Sequence, residues 1–120
     1  MMFFDSYAIL EIIDGNSNYE KHSQEIIITN YLNLSEVFYS LLKRVNEKIA
    51  KQIIENLDIE FINMDKEISI NAALFKEKHR KKKLSYADCI GYVTALKSKL
   101  KFLTGDKEFK KLNNVEFVKK

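Results

Sequence analysis

The chain reads as an α/β protein, a three-layer sandwich around a central, mainly parallel five-stranded sheet. Three observations lead there. Five short apolar runs, mostly β-branched or aromatic, are spread along the chain, stretches of helical periodicity lie between them, and an acid closes the first run while another follows the fourth. Short strands that alternate with helices require crossover connections, which make neighbouring strands parallel and cover both faces of the sheet.

Taken in order, the first strand is Met2 to Phe4, and Asp5 then opens a second apolar stretch, the position of a helix cap. Ile26 to Ile28 is the second strand, after which Leu34, Phe38, Leu41 and Val45 fall on one helical face. The third strand, Ile59 to Ile62, leads to Ile68, Ala72 and Phe75 on one face and to a helix through about Ala73 to Lys82. A further helix starts at Ser85, with Ala87, Ile90, Gly91 and Thr94 on one face. Its opening "SYAD", Ser85 to Asp88, is a capping-box pattern. Phe102 to Leu103 and Val115 to Val118 are the last two strands. Two helices between strands three and four make a connection long enough to cross to the other side of strand one. Right-handed crossovers then give the order 3-2-1-4-5. No repeat, low-complexity segment or Gly/Ser/Pro linker interrupts the chain, so residues 1–120 are expected to form a single domain.

A chain of 120 residues with 46% hydrophobic content can bury one core. No run of about 18 uncharged apolar residues exists, and no basic residue precedes the apolar N-terminus, so neither a membrane span nor a signal peptide fits and a cytoplasmic protein is expected. Cys89, the lone cysteine, has no disulfide partner and reads as a small buried hydrophobe. His22 and His79 lack partner spacing for catalysis or metal binding and are expected at the surface. The net charge of +3 is too mild to indicate nucleic acid by itself, but six of the eight residues in "KEKHRKKK", Lys76 to Lys83, are Lys or Arg. Such a run is either a solvated helix end, complementing the helix dipole, or a phosphate-contacting patch. The abundance of Lys, Ile and Glu without proline fits a heat-adapted host and a low-GC genome equally.

In a sheet of this order, ligands bind beyond the carboxyl ends of strands one and four, where the winding reverses. Asp5 and Asp106 stand at those two ends. Taken singly, Asp5, Asp88 and Asp106 are helix caps. Helix starts after parallel strands share one sheet edge, however, so the three acids crowd one lip, where like charges repel or demand a cation. An all-oxygen cluster suits Mg²⁺ or Mn²⁺, and the Cys and His ligands usual for zinc are missing. A divalent ion held by acids beside a basic surface suits phosphodiester chemistry.

The pieces "FFDSYAIL", "NLSEVFYSLL" at 33 to 42, "KLSYADCIGYVTAL" at 83 to 96, "FLTGDKEFKKL" at 102 to 112 and a closing "VEFV" cover the chain nearly end to end. In order and spacing they resemble the PIN-domain family, small nucleases that include VapC-type toxins. The pairing of "LSYAD" with "LTGDKEF" about one helix later is the most specific piece. By position, the resemblance implies that Asp5, Glu36, Asp88 and Asp106 form an acidic, catalytic quartet for Mg²⁺ or Mn²⁺. Thr104 and Ser6 match supporting hydroxyl positions, and Glu108 stands where many relatives carry a further Asp. Glu36 rests on the resemblance alone, because periodicity puts it off the apolar face of its helix and so in solvent.

The reading that follows is a metal-dependent endoribonuclease leaving a 5′-phosphate and a 3′-hydroxyl, with Lys76, Lys78, Arg80, Lys81, Lys82 and Lys83 holding RNA phosphates. The resemblance also implies homodimerisation and, for a VapC-like toxin, a cognate antitoxin. An RNA-processing nuclease without an antitoxin, or a non-catalytic RNA- or protein-binding module, fits the same residues. A phosphatase of the haloacid-dehalogenase type would need an Asp where Tyr7 stands. Tyr31, Leu32 and Tyr39 are the candidate dimer surface, and Asp14, Asp58, Asp65 and Glu67 read as surface or capping acids.

Overall fold

A computed structural model describes every residue, Met1–Lys120. β1 (Met2–Phe4), β2 (Ile27–Thr29), β3 (Ile59–Phe61), β4 (Lys101–Thr104) and β5 (Val115–Phe117) form one sheet in the order β3-β2-β1-β4-β5, with every pairing parallel. The order is the expected one. Five helices cover it: α1 (Ser6–Ile13), α2 (Tyr31–Leu42), α3 (Glu47–Glu55), α4 (Lys66–Lys78) and α5 (Tyr86–Lys97).

Side-chain alternation along the strands sorts the apolar residues into two cores. Phe3 and Phe102 project to one side, where they join Ile68 and Ala72 of α4 and Ile90 and Val93 of α5. Phe4, Ile27 and Leu103 project to the other, against Ile9 of α1, Val37 and Leu41 of α2 and Ala50 of α3. Each of these large side chains, fully buried, contributes about 1.5–3 kcal/mol. Phe3 and Phe102 are register partners on neighbouring strands, and their rings stack with centroids 5.9 Å apart. α5 lies directly on this pair. A Cβ on Gly91 would come within 3.3 Å of both rings, so glycine sets how closely the helix approaches the sheet.

The structure corrects several expectations. The buried row of α2 is Asn33, Val37 and Leu41, whereas Leu34 and Phe38 are half-buried beside it, facing Ile54 of α3 across a groove. Hydrophobic periodicity could not place this row, because one of its three members is an amide. α3 itself was not anticipated, although Asn46 caps it through a 2.9 Å bond from the Ile49 amide. Nor was the 3-10 helix Ser17–His22, which carries His22 into the interior. There the ring meets the edge of Phe4 and its Nδ1 pairs with Glu25, so His22 is no surface histidine. His79 is half-buried against Phe75, with centroids 4.4 Å apart.

α4 also starts and stops earlier than expected. Asp65 caps its first turn, and the helix ends at Lys78, leaving Arg80 to Lys83 in the turn that follows. Four consecutive cations continued along a helix would repel one another at i, i+3. Cys89 is buried as expected, and burial pushes its thiol pKa up.

Candidate active site

The register of the central strands places the first two site residues. β1 and β4 pair Phe4 with Leu103, so the next residue on each, Asp5 and Thr104, emerge together at the carboxyl edge. The Asp5 amide donates to the Leu103 carbonyl at 3.2 Å. Its carboxylate is almost wholly buried and is held at both oxygens: Oδ1 accepts from the Ala8 amide at 2.8 Å as the α1 N-cap, and Oδ2 accepts from Thr104 Oγ1 at 2.5 Å. The same hydroxyl accepts from the Asp106 amide at 3.0 Å. Asp106 in turn caps the short 3-10 helix Lys107–Phe109, accepting from the Glu108 amide at 2.9 Å.

Gly105 makes this tight corner feasible. A Cβ there would lie 2.3 Å from a Tyr7 ring carbon and 2.7 Å from the Tyr19 hydroxyl. Tyr19 is fixed in place, being fully buried and donating from Oη to the Val118 carbonyl at 2.6 Å. Two tyrosines therefore close over the backbone between Thr104 and Asp106.

Asp88 and Glu36 approach the same edge from α5 and α2. Asp88 completes the anticipated capping box: its Oδ2 accepts from the Ser85 amide at 2.9 Å, and its own amide donates to Ser85 Oγ at 3.1 Å. Glu36 is solvent-exposed, as periodicity alone implied, yet it is tied to the start of α1 by a 3.0 Å hydrogen bond from Ser6 Oγ. Ser6 thus joins the two helices that carry Asp5 and Glu36.

These carboxylates sense one another. Burial pushes the Asp5 pKa up to about 7; the bonds from Thr104 and Ala8 oppose the rise, and the charges of Asp88 and Asp106 add to it. Burial also raises Asp88, with Asp106 adding to the shift, and raises Glu36, with Asp88 adding to it. None of the four acids is ion-paired with a Lys or Arg; every salt bridge lies elsewhere. Within the chain the Lys76 charge, which acts to lower the Asp88 pKa, opposes part of the negative field at this edge.

The donor set, carboxylates and hydroxyls only, fits a hard divalent cation. No three of the His, Cys, Asp or Glu side chains close into a ready-made cage.

Other expected residues fall into place around the edge. The Glu108 amide is tied to Asp106, and its side chain makes no hydrogen bond to the acids. Asp14 and Asp65 pair with Arg44 and Lys97, and Glu67 with Lys97 as well, so all three are structural surface acids. Of the cation run, Lys76 turns inward and donates to the Leu84 carbonyl at 2.5 Å, one residue before the Ser85 cap. Residues that sequence reasoning missed at the edge include Asn30 and Asn33, whose buried amide nitrogens have no partner, and Tyr7. Asn30 does have a sequence signal, an Asn three residues before the amide it caps, that of Asn33.

A parallel α/β sandwich with an acidic rim free of ion pairs at its topological switch point defines a class of small metal-compatible domains. The chain belongs to the PIN domain family, whose model matches residues 2–115. Its fold is similar to that of a toxin-antitoxin complex protein from Klebsiella pneumoniae, with a TM-score of 0.78, 17% identity, and coverage of 97% of this chain and 96% of that one. The Mycobacterium tuberculosis toxin VapC20, described as cleaving the sarcin-ricin loop, also gives a TM-score of 0.78, at 13% identity, covering 98% of this chain and 99% of its own. VapBC2 from Rickettsia felis, solved with a DNA fragment from its promoter, gives 0.72 at 12% identity, covering 99% and 98%. No curated protein matches the chain by sequence. No helix is long and apolar enough to cross a membrane.

Proposed function

We propose that the protein is a Mg²⁺- or Mn²⁺-dependent endoribonuclease, a VapC-like toxin whose catalytic acids are Asp5, Glu36, Asp88 and Asp106. The observation that carries this reading is the buried, unpaired Asp5 carboxylate, facing further acids at the switch point of a PIN domain. When bound, the cation activates an attacking water and neutralises charge developing on the phosphate.

The residues of the chain have separable parts in that chemistry. Asp5, bonded through both oxygens to Thr104 and Ala8, is a rigid ligand whose position is set by the sheet. Asp88 and Glu36, on different helices, would complete the cation site, directly or through water. Ser6 orients Glu36, and Thr104 orients Asp5 and the Asp106 backbone. Glu108 is a supporting residue at the same edge, two residues beyond Asp106. The cations from Lys76 to Lys83 supply phosphate contacts, which give affinity and salt dependence but little sequence preference. A cytoplasmic homodimer with a cognate antitoxin completes the reading. The exposed Tyr31, Leu32 and Tyr39 are its proposed protein-contact surface, and a neighbouring antitoxin gene is the cheap discriminator from an RNA-processing nuclease.

The test is cleavage of a labelled structured RNA by the wild type and by Asp5→Asn, with Mg²⁺, with Mn²⁺ and with chelator. Metal-dependent cutting by the wild type alone, with folding retained in the variant, is the expected result. Equal cutting by both proteins would remove the acids from the mechanism.

A further inference from the structure

Beside the acidic edge, where α4 ends and α5 begins, lies a groove of about 310 Å³. Its walls are Ala73, Lys76, Glu77, Arg80, Lys82 and Tyr86. Three features set it apart from an ordinary charged surface. Tyr86, one of three tyrosines left at the surface, is 58% exposed and stands among these cations. The Lys76 ammonium lies 5.2 Å from the ring centroid and is itself held at the Leu84 carbonyl. Finally, Tyr86 and Asp88 share the first turn of α5 but, two residues apart, turn to opposite sides of it, so Lys76 is the link between groove and site. The Lys76 charge is felt at the Asp88 carboxylate.

Cations beside an exposed aromatic ring recognise phosphate and a planar base together. Glu77 is the one opposing charge in the groove. Its 3.2 Å pair with Arg80 is fully at the surface, however, and such pairs exchange readily for a phosphate partner. A duplex keeps its bases stacked inside and offers only backbone to such a groove, whereas an unpaired nucleotide offers both groups. Asp88 and Tyr86 diverge around the helix, so the base on Tyr86 belongs to a nucleotide next to the one being cut.

We propose that this groove is a subsite for one unpaired nucleotide flanking the scissile phosphate, with its base stacked on Tyr86 and its phosphate held by Lys82 and Arg80. The subsite rests on the ribonuclease reading and makes the substrate single-stranded on that side of the cut.

Binding and cleavage are measured apart, so that the two readings fail separately. The full chain carrying Asp5→Asn is titrated, in chelator, with a short single-stranded RNA in which every adenine is 2-aminopurine, and with the same strand in a duplex. Stacking on Tyr86 changes the probe's fluorescence. The expected result is a fluorescence change with the single strand only, kept in Tyr86→Phe and abolished in Tyr86→Ala with about tenfold or more weaker binding. Lys82→Ala is expected to weaken binding while keeping the fluorescence change at saturation, and to lower the salt dependence by about one phosphate. Circular dichroism checks that each variant is folded, and the Phe and Lys82 variants decide the matter if Tyr86→Ala is not. Equal affinity and signal in Tyr86→Ala, equal binding of the duplex, or no RNA binding at all would each overturn the subsite. If Asp5→Asn binds in this pattern but wild type cuts nothing, the subsite stands and the nuclease reading falls.

Discussion

Thr104 Oγ1 donates to Asp5 Oδ2 at 2.5 Å and accepts from the Asp106 amide at 3.0 Å, so one hydroxyl from the end of β4 organises the ends of both central strands. The hydroxyl is fully buried. Thr104→Val keeps the shape and strands both partners, which is expected to lower stability by about 1–3 kcal/mol. Thr104→Ser keeps the hydroxyl and should recover most of that stability in denaturant titration. If Val and Ser behave alike, the hydroxyl has no organising part.

Asp5 makes stability depend on pH in a direction opposite to that of a salt-bridged carboxylate. Its pKa is raised from 3.8 to about 7, so between these values the folded chain holds a proton that the unfolded chain has released. Stability from this group is therefore present in full below about pH 4 and lost as pH rises through about 7, by an amount of the order of a few kcal/mol. Asp5→Asn removes the titration. In chelator, the unfolding midpoint of the variant relative to wild type should be higher at pH 8 than at pH 5. A difference independent of pH would show that the carboxylate is not shifted. Because a cation and the proton compete for the same oxygens, calorimetry should also find Mn²⁺ binding to wild type tightening as pH rises through about 7.

The sheet order was legible because each apolar run is short, bounded and followed by helical periodicity, and because handedness leaves few ways to connect them. The capping residues were legible for the same reason, since Asp5, Ser85 and Asp88 carry their local role in their spacing. What escaped was the part of the structure not built on apolar periodicity. Asn33 lies in the buried row of α2, and His22 in the core, where polar groups are invisible to a hydrophobic pattern. Glu36 illustrates the limit from the other side: local pattern made it a solvated residue, and only the partner contributed by α1, Ser6, distinguishes it from its neighbours. The groove at Tyr86 was unreadable because the end of α4 was expected at about Lys82, which would have buried its opening in helix.

The turn after α4 provides a test of the basic run. Lys81 and Lys83 are exposed and make no salt bridge, unlike Arg80. Replacing both by Gln should leave the stability within about 0.5 kcal/mol of wild type in denaturant titration. RNA binding by the Asp5→Asn background should nonetheless weaken, and the slope of log affinity against log salt should fall by about two, one for each phosphate no longer neutralised. An unchanged slope would make these lysines a solvated surface and confine phosphate binding to the groove.

Gly105 supplies a prediction that separates geometry from chemistry. Its replacement by Ala adds one methyl group where a Tyr7 ring carbon stands 2.3 Å away and the Tyr19 hydroxyl 2.7 Å away. Tyr7 is half-exposed and can swing, but Tyr19 is fully buried and bonded to Val118. The backbone between Thr104 and Asp106 must therefore yield, at a cost typical of overpacking, about 1–3 kcal/mol. Because Asp106 is attached to the residue that moves, Gly105→Ala should lose RNA cleavage more than it loses stability, with every acid still present. The companion variant Tyr7→Ala,Gly105→Ala removes the nearer clash. It is expected to regain part of the unfolding midpoint, as read by denaturant titration, and part of the cleavage rate with it. A double variant no more stable than Gly105→Ala would place the whole clash on Tyr19, and a Gly105→Ala variant as active as wild type would show that the corner does not set the position of Asp106.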